Sequence, residues 1–287
     1  MNSSQLKMRL RVFVRLLRPS YWLMTGGLSV LVMITLQRGF PEAYQMTLVF
    51  LSATLITSGG FAFNDYCDWQ ADAIVKPDRP IPSKQISLSQ VVVLSAMLFL
   101  AGLGTALMIN LLCFGIVLAD AALLILYSAF LKRKSGLWGN LIMGLLIGTA
   151  FLYGEAALLQ RVSVASFSFT FMCMGSIGGN VLRDILSLEG DLKTGYPTLP
   201  AKHGINPSAK IGAFFFFLTI IASPTPYLVE VVNYTYLIPI AIWDCLLFYS
   251  ALSLFKKPDV QNVRKHERLV TMSMILLPVS LVVGALI

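Results

Sequence analysis

The chain has 287 residues, of which 56% are hydrophobic and only 13% are charged. A soluble domain usually carries about 25% charged residues, so this composition excludes a soluble globular protein. The net charge of +8 does not indicate nucleic acid, because an excess of Lys and Arg in a membrane protein usually lies in its cytoplasmic loops. We therefore expect the lipid bilayer as a partner and no nucleic acid.

Nine stretches are apolar and long enough to cross a bilayer, which takes about 20 helical residues. The sequence therefore predicts an all-α integral membrane protein that forms a single domain, 1–287. The long gaps at about 64–87, 184–207 and 255–268 are predicted to be loops. The predicted spans are 20–37, 44–63, 88–107, 110–131, 138–159, 164–183, 208–229, 233–254 and 269–287.

The basic residues predict the orientation of the chain. With the N-terminus in the cytoplasm, 20 of the 22 Lys and Arg residues lie in cytoplasmic segments, and only Arg38 and Arg161 lie on the other side. Cytoplasmic segments of membrane proteins carry this excess. Nine spans then place the C-terminus on the opposite side of the membrane.

Acidic residues are informative because charges are costly inside a membrane. Asp65, Asp68 and Asp72 follow the second span at i, i+3 and i+7, a spacing that puts them on one face of a helix. Like charges so close together repel each other unless a cation lies among them, and oxygen-only ligands favour Mg²⁺ over Zn²⁺. The alternative is a solvated loop with three acids.

The run that follows, Lys76-Pro77-Asp78-Arg79-Pro80-Ile81-Pro82, favours a metal–phosphate site over a solvated loop. Its prolines stiffen the chain. Lys76 and Arg79 have side chains long enough to reach phosphate oxygens.

A second acidic cluster follows the sixth span. Asp184, Ser187 and Asp191 repeat the same spacing about 120 residues later, which suggests a weak internal duplication of a four-helix unit. Two acidic faces on one side of the membrane could hold Mg²⁺ ions that bridge a diphosphate. A solvated loop is an equally good interpretation of the second cluster alone.

These features resemble the UbiA superfamily of intramembrane prenyltransferases. The resemblance rests mainly on Asn64-Asp65-x-x-Asp68-x-x-x-Asp72 and the proline-rich run behind it. A further segment, Phe151-Leu152-Tyr153-Gly154, is similar to the branch that makes digeranylgeranylglyceryl phosphate. Supporting matches are Arg18-Pro19, Tyr127-Ser128, Leu131-Lys132, Gly139-Asn140, Glu189-Gly190-Asp191 and Thr198-Leu199-Pro200.

The resemblance implies nine helices around a central cavity with cytoplasmic cap loops. It also implies transfer of a prenyl group from a prenyl diphosphate, such as geranylgeranyl or farnesyl diphosphate, to a lipophilic acceptor, with Mg²⁺ or Mn²⁺ as cofactor. By position, Asp65, Asp68 and Asp191 would be catalytic. The implied metal ligands are Asp65, Asp68, Asp72, Asp184 and Asp191, and the implied diphosphate-binding residues are Asn64, Arg79, Lys132, Arg183 and Lys193.

The second motif departs from the family pattern. Many members have Arg-Glu-x-x-Lys-Asp-x-x-Asp, whereas this chain has Gly179-Asn180, then Arg183 for the lysine and Ser187 for the middle aspartate. A neutral hydroxyl is a poorer Mg²⁺ ligand than a carboxylate. We therefore predict a weaker second metal site.

An allylic cation remains when a prenyl diphosphate loses its diphosphate. Aromatic ring faces can shelter such a cation by cation–π attraction. Phe61, Tyr66, Tyr127 and Tyr153 are the candidates for this lining, and the alternative for each is ordinary packing.

Two other functions stay open from the sequence. A UbiA-type terpene cyclase would let the donor's own double bonds capture the cation and would need no acceptor. A transporter or lipid-binding membrane scaffold would explain nine spans, with Asp120 and Asp244 as proton-relay candidates. It would not explain two acidic clusters beside basic loops.

Overall fold

The chain is helical from end to end in the residues that the structure describes. The computed structural model describes residues 12–287, in which a helical segment at 12–17 precedes thirteen complete α-helices and no strand occurs. The predicted cytoplasmic residues Lys7, Arg9 and Arg11 lie outside the described residues. The helices are α1 Pro19–Gln37, α2 Ala43–Val75, α3 Leu88–Leu107, α4 Leu111–Ala129, α5 Gly136–Leu159, α6 Val164–Met172, α7 Met174–Thr194, α8 Leu199–His203, α9 Ile205–Ala222, α10 Thr225–Leu228, α11 Leu237–Lys256, α12 Val260–Ser273 and α13 Leu276–Leu286.

Nine helical segments of 12–287 are long and apolar enough to cross a membrane. Some of them consist of two helices: α6 runs into α7, α9 into α10, and α12 into α13. The break between α12 and α13 precedes Pro278, which lacks the N–H that would bond to the carbonyl of Met274. The predicted all-α, nine-span fold is confirmed.

Two helices extend well beyond their apolar stretches. α2 ends at Val75 and α7 ends at Thr194, so the segments 64–75 and 184–194, which we predicted as loops, are helical. A hydropathy profile shows where the apolar stretch of a helix ends. The helix itself ends where the backbone must turn. For α2 this point is Lys76, because Pro77 disfavours the helical conformation of the residue before it.

Six of the spans close a ring. α1 packs against α2, α2 against α4, α4 against α5, α5 against α7, α7 against α12, and α13 against α1. α3, α9 and α11 pack on the outside of this ring, against α2, α7 and α12, respectively. The ring encloses a central cavity.

Inside the ring, α1 and α5 approach each other most closely at Gly154. A Cβ atom added there would lie 2.3 Å from the carbonyl oxygen of Ser29 and 3.1 Å from Cβ of Val32. The neighbouring residue on α5, Tyr153, lines the cavity. The contact between these two helices therefore lies beside the part of the cavity that is away from the acidic clusters.

Replacing Gly154 by alanine should weaken the contact between α1 and α5. We expect a loss of about 1–3 kcal/mol, the usual cost of overpacking, measured as a lower apparent unfolding temperature in detergent. Gly115→Ala on α4 is the matched control, since its added Cβ meets nothing within 4 Å and alanine favours a helix over glycine. Equal unfolding temperatures for the two variants would contradict a tight contact at Gly154.

Candidate active site

The central cavity has a volume of about 800 Å³ and combines a polar end with an apolar interior. Asn140 at its polar end and Tyr153 at its far end are 13 residues apart on α5, which corresponds to about 20 Å along the helix axis. We call the polar end the mouth. The mouth is lined by Arg18, Asn64, Asn140, Asn180, Arg183 and Asp184.

Asp65 and Asp72 lie two turns apart on α2, and both are buried. Arg79 donates a hydrogen bond to Asp72, and its Nη1 also lies 3.2 Å from Asp65 Oδ1. Asp65 Oδ1 accepts a second hydrogen bond from Arg18, whose guanidinium carbon lies 4.7 Å above the ring centroid of Phe61. Two arginines therefore offset the repulsion between these two carboxylates.

Arg18 directly precedes α1 and has a left-handed backbone conformation with φ of 49°. This conformation is strained for a residue other than glycine, by a free energy of order 1–3 kcal/mol. The ion pair with the buried Asp65 is one interaction that offsets this strain. The start of α1 is thereby fixed to the acidic end of α2.

Asp68 has a different set of partners. Lys132, in the 3₁₀ turn after α4, pairs with Asp68 and donates to Asn64 Oδ1 at 2.8 Å. Asn64 Nδ2 donates to Asp68 Oδ2 at 2.9 Å, and the Tyr196 hydroxyl donates to Asp68 Oδ1. Burial and the hydrogen bond to Asp68 raise the pKa of Tyr196, so its hydroxyl stays protonated and able to donate.

The second acidic cluster is held by neutral donors. Asn140 Nδ2 donates to Asp184 Oδ2 at 2.8 Å. Asp191 Oδ2 accepts from Ser187 Oγ at 3.1 Å and from Thr198 Oγ1 at 3.2 Å. Ser187 therefore contacts the second cluster as a hydrogen-bond donor to Asp191. The hydroxyl bonds hold Asp191 in place without neutralising its charge.

The ends of α2 and α7 bring the two clusters to the same side of the ring. A Cβ added at Gly190 on α7 would lie 3.0 Å from Cγ1 of Val75, the last residue of α2. Tyr196, just after α7, bonds to Asp68 on α2. Both acidic clusters therefore lie at the mouth end of the structure.

The donor atoms of these clusters fit a hard divalent cation. Every predicted ligand is an oxygen, and Mg²⁺ usually binds one or two carboxylates together with water and substrate phosphates. No three Asp, Glu, His or Cys side chains in 12–287 converge as a complete metal cage. Metal binding by these carboxylates therefore stays a prediction.

The predicted diphosphate-binding cations fall into two groups. Arg79 and Lys132 contact the first acidic cluster directly. Lys193 instead pairs with Glu189 at 2.6 Å on the exposed side of α7. Arg183 lines the cavity but faces α12, where its Nε lies 3.6 Å from Glu267 Oε1.

The four predicted aromatic residues do not share one position. Phe61, Tyr127 and Tyr153 line the cavity. Tyr66 instead packs in a small core, with its ring centroid 5.9 Å from that of Phe63, so it is not part of the cavity wall. Tyr153 lies at the far end of the cavity, where it would contact the end of a bound chain rather than a reacting carbon at the mouth.

The two intramembrane aspartates each pair with a hydroxyl of another helix. Thr149 Oγ1 on α5 donates to Asp120 Oδ2 at 3.0 Å, and Ser223 Oγ at the end of α9 donates to Asp244 Oδ2 at 2.6 Å. Asp120 also lines the cavity. These contacts favour packing of helices over a proton relay.

Sequence reasoning missed several residues that contact the acidic clusters. Arg18 and Asn140 lie in segments that were only supporting matches to the family. The one sequence feature that could have identified Arg18 is its position as a charged residue directly before an apolar span. Tyr196 lies 128 residues from its partner Asp68, and no spacing rule connects the two. Thr198 lies only seven residues after Asp191, but α7 ends between them, so helical spacing does not connect the two.

Known sequences of one family match nearly the whole chain. A profile of the UbiA prenyltransferase family matches residues 23–275. Digeranylgeranylglyceryl phosphate synthase from Methanococcoides burtonii is 33% identical over 246 residues, which cover 84% of this chain and 85% of that protein. The synthase of the same name from Thermococcus gammatolerans is 31% identical, over 97% of this chain and 100% of that protein.

Solved structures have the same architecture. A structure of digeranylgeranylglyceryl phosphate synthase matches with a TM-score of 0.83 and 29% identity, over 96% of this chain and 98% of that chain. A UbiA homologue from Archaeoglobus fulgidus, bound to GPP and Mg²⁺, matches with a TM-score of 0.69 and 17% identity, over 94% of this chain and 99% of that chain. The second likeness shows the shared fold.

Arg79→Gln removes the cation that Asp65 and Asp72 share. In Mg²⁺-free detergent we expect the free energy of unfolding to fall by about 1.5–3 kcal/mol, the range for hydrogen bonds to charged groups, measured as a lower apparent unfolding temperature. Added Mg²⁺ should stabilise Arg79→Gln more than the wild-type protein, because a metal ion can replace the lost cation. Lys84→Gln, exposed in the same loop, is the control, and an equal response of both variants to Mg²⁺ would contradict the expectation.

Proposed function

The chain belongs to the UbiA prenyltransferase family, and we propose that it transfers a prenyl group from a prenyl diphosphate to the hydroxyl of a glyceryl phosphate lipid. The observation that carries this proposal is a single cavity that extends for about 20 Å along α5, has a mainly apolar wall and is lined at its mouth by Arg18, Asn64 and Asp184. The apolar part suits the prenyl tail, and the charged mouth suits the diphosphate. The names of the relatives as digeranylgeranylglyceryl phosphate synthases favour this acceptor.

Mg²⁺, or Mn²⁺ in its place, would be held by the two acidic clusters together with the diphosphate. The bound metal would polarise the phosphoryl oxygens as a Lewis acid and stabilise the leaving group. The UbiA homologue with GPP and Mg²⁺ supports this assignment. The proposed ligands are Asp65, Asp68 and Asp72 on α2 and Asp184 and Asp191 on α7.

The cations at the mouth have a second role in this proposal. Arg18, Arg79 and Lys132 pair with carboxylates in this structure, and a bound diphosphate would offer them oxygen atoms of higher charge. Arginine can contact phosphate oxygens in a bidentate manner. Negative charge grows on the diphosphate as its bond to the first prenyl carbon breaks, so fixed cations at this point stabilise the transition state.

The prenyl cation and the acceptor meet just below the mouth. Phe61 and Tyr127 line this part of the cavity, and their aromatic rings would attract the allylic cation. The hydroxyl oxygen of the acceptor forms the new bond to the first prenyl carbon. Its proton passes to the released diphosphate, so that the products are an ether and diphosphate.

The protein is a multi-pass integral membrane protein, and we propose that its mouth faces the cytoplasm. The two acidic clusters share their side of the ring with Arg79, Lys132 and Lys202, whereas Arg38 follows α1 at the other end. Positive charge concentrates on cytoplasmic segments. The prenyl diphosphate would then enter from the cytoplasmic side.

Cysteine labelling tests this orientation. In a variant without the four native cysteines, Lys202→Cys should react with a membrane-impermeant maleimide only in inside-out vesicles. Glu230→Cys, exposed after α10, should react only in right-side-out vesicles. The opposite pattern would place the mouth on the outside.

Asp68→Asn tests the role of the first acidic cluster. The substitution keeps the size of the side chain and removes its charge, so we expect the transfer rate to fall by at least about 100-fold, or about 2.7 kcal/mol. Glu189→Gln is the control, since Glu189 is 85% exposed and its loss of charge should leave the rate unchanged. Near wild-type transfer by Asp68→Asn, or full turnover of the wild-type enzyme in excess EDTA, would contradict the proposal.

A further inference from the structure

We infer that Arg183 binds the phosphate of the lipid acceptor, at a subsite separate from the one that holds the donor diphosphate. This inference rests on the proposed function, because it requires an acceptor with an anionic head. It changes the role that the motif position of Arg183 implies, which is contact with the donor. Five features of the structure support it.

Arg183 lies on a different face of α7 from the acids. Asp184 and Asp191 share one helix face, and Arg183 is rotated from it by about 100°, the angle between consecutive helical residues. Asp184 contacts Asn140 on α5, whereas Arg183 contacts Glu267 on α12. Arg183 therefore borders the cavity on the side of α12, away from the partner of Asp184.

The cations at the first cluster belong to the proposed donor site. Arg18 and Arg79 both contact Asp65, and Lys132 contacts Asp68. These three cations surround the predicted site of the donor diphosphate. A second anionic substrate needs a cation outside this set, and Arg183 is a cation that lines the cavity outside it.

The guanidinium of Arg183 retains hydrogen-bonding capacity. Its contacts with described residues involve Nε, which lies 3.4 Å from Gly179 O and 3.6 Å from Glu267 Oε1. The side chain is 40% exposed. Its terminal nitrogens, Nη1 and Nη2, can therefore bind two phosphate oxygens as a fork while Nε stays beside Glu267.

The surroundings of Arg183 suit a phosphate that carries a lipid chain. Asn180, one turn earlier on α7, and Thr271, which donates to Glu267 at 3.1 Å, line the cavity beside it. Met272 on α12 also lines the cavity and is 69% exposed. The subsite is thus polar at Arg183 and borders apolar side chains of the same cavity, beside which a lipid chain can lie.

This position also brings the two reacting groups together. Arg183 and Asp184 are consecutive residues, so an acceptor phosphate at Arg183 lies next to a donor diphosphate bound at the acidic clusters. In a glyceryl phosphate lipid, the free hydroxyl is only a few bonds from the phosphate. Binding of the phosphate by Arg183 would therefore place the hydroxyl within reach of the first prenyl carbon.

Steady-state kinetics with both substrates varied tests the inference. The assay uses geranylgeranyl diphosphate as donor and geranylgeranylglyceryl phosphate as acceptor, with Mg²⁺. Arg183→Gln should raise the KM for the acceptor by about 10- to 100-fold, as expected for lost hydrogen bonds to a charged group, and leave the donor KM within about twofold. Arg183→Lys should raise the acceptor KM less, since it keeps the charge but loses the fork.

A neutral acceptor provides the second readout. Wild-type enzyme should prefer geranylgeranylglyceryl phosphate over geranylgeranylglycerol, and Arg183→Gln should lose most of this preference. Lys257→Gln is the control, because Lys257 is an exposed cation that pairs with Asp259 at 3.6 Å, and it should behave as the wild type. If Arg183→Gln does not accumulate, the preference of Arg183→Lys for the phosphorylated over the neutral acceptor tests the inference instead.

The outcomes separate this inference from the proposed function. If the wild-type enzyme prenylates neither acceptor, the proposed function fails. If it prenylates the phosphorylated acceptor but the Arg183 variants raise the donor KM instead, or keep the preference for a phosphorylated acceptor, the proposed function stands. Arg183 would then be a donor-binding residue or a residue outside both sites, and the inference is wrong.

Discussion

Three carboxylates at the end of one membrane-spanning helix repel each other, and the pairing of these charges organises the mouth of the cavity. Arg18 comes from the start of α1, Arg79 from the loop after α2, and Lys132 from the turn after α4. Tyr196 joins them from the chain after α7. Because each partner comes from a different segment, pairing these charges also fixes the ends of four spans relative to one another. The mouth is therefore a structural element as well as a candidate binding site.

The same pairing makes the site suitable for a diphosphate. Removing a cation from a buried carboxylate is costly unless another positive charge replaces it. A metal ion and a diphosphate that bind together would replace both partners of each ion pair. The metal ion would bind the carboxylates, and the diphosphate would bind the arginines and the lysine. The charge balance of the site is thereby kept between its free and bound states.

The apolar part of the cavity depends on close contact between backbones. At Gly154 the helix α5 approaches the carbonyl of Ser29 on α1 without an intervening side chain. This contact lies beside Tyr153, at the far end of the cavity. A prenyl chain in the cavity would contact mainly apolar side chains, and its diphosphate would lie at the charged mouth. This separation of an apolar tail from a charged head is the physical basis of the proposed reaction.

The sequence predicted the parts of the structure that depend on local pattern. Hydropathy identified all nine spans, and the i, i+3, i+7 spacing placed Asp65, Asp68 and Asp72 together. The helical state of 64–75 was missed, because a hydropathy profile reports contact with lipid and not backbone conformation. The position of Tyr66 outside the cavity wall was missed because its rotation around α2 depends on packing partners near residue 12.

Contacts between distant segments were beyond any sequence pattern. Tyr196 with Asp68 and Arg183 with Glu267 arise only when the ring closes. The sequence shows that the second motif departs from the family pattern at Gly179-Asn180 and Ser187. It does not show which contacts these residues make. In the structure, Ser187 donates to Asp191 and Arg183 lies across the bare backbone of Gly179. Both contacts lie within α7, and the first of them holds Asp191, a proposed metal ligand, in place.

The central claim is that this cavity delivers a prenyl cation to a second lipid. The most direct measurement incubates purified protein with Mg²⁺ and radiolabelled geranylgeranyl diphosphate, without and with geranylgeranylglyceryl phosphate, and separates the lipid products by chromatography. The account predicts a labelled phosphorylated diether that appears only when the acceptor is present. A labelled cyclic hydrocarbon or alcohol formed at the same rate without any acceptor would contradict it and would identify the protein as a terpene cyclase.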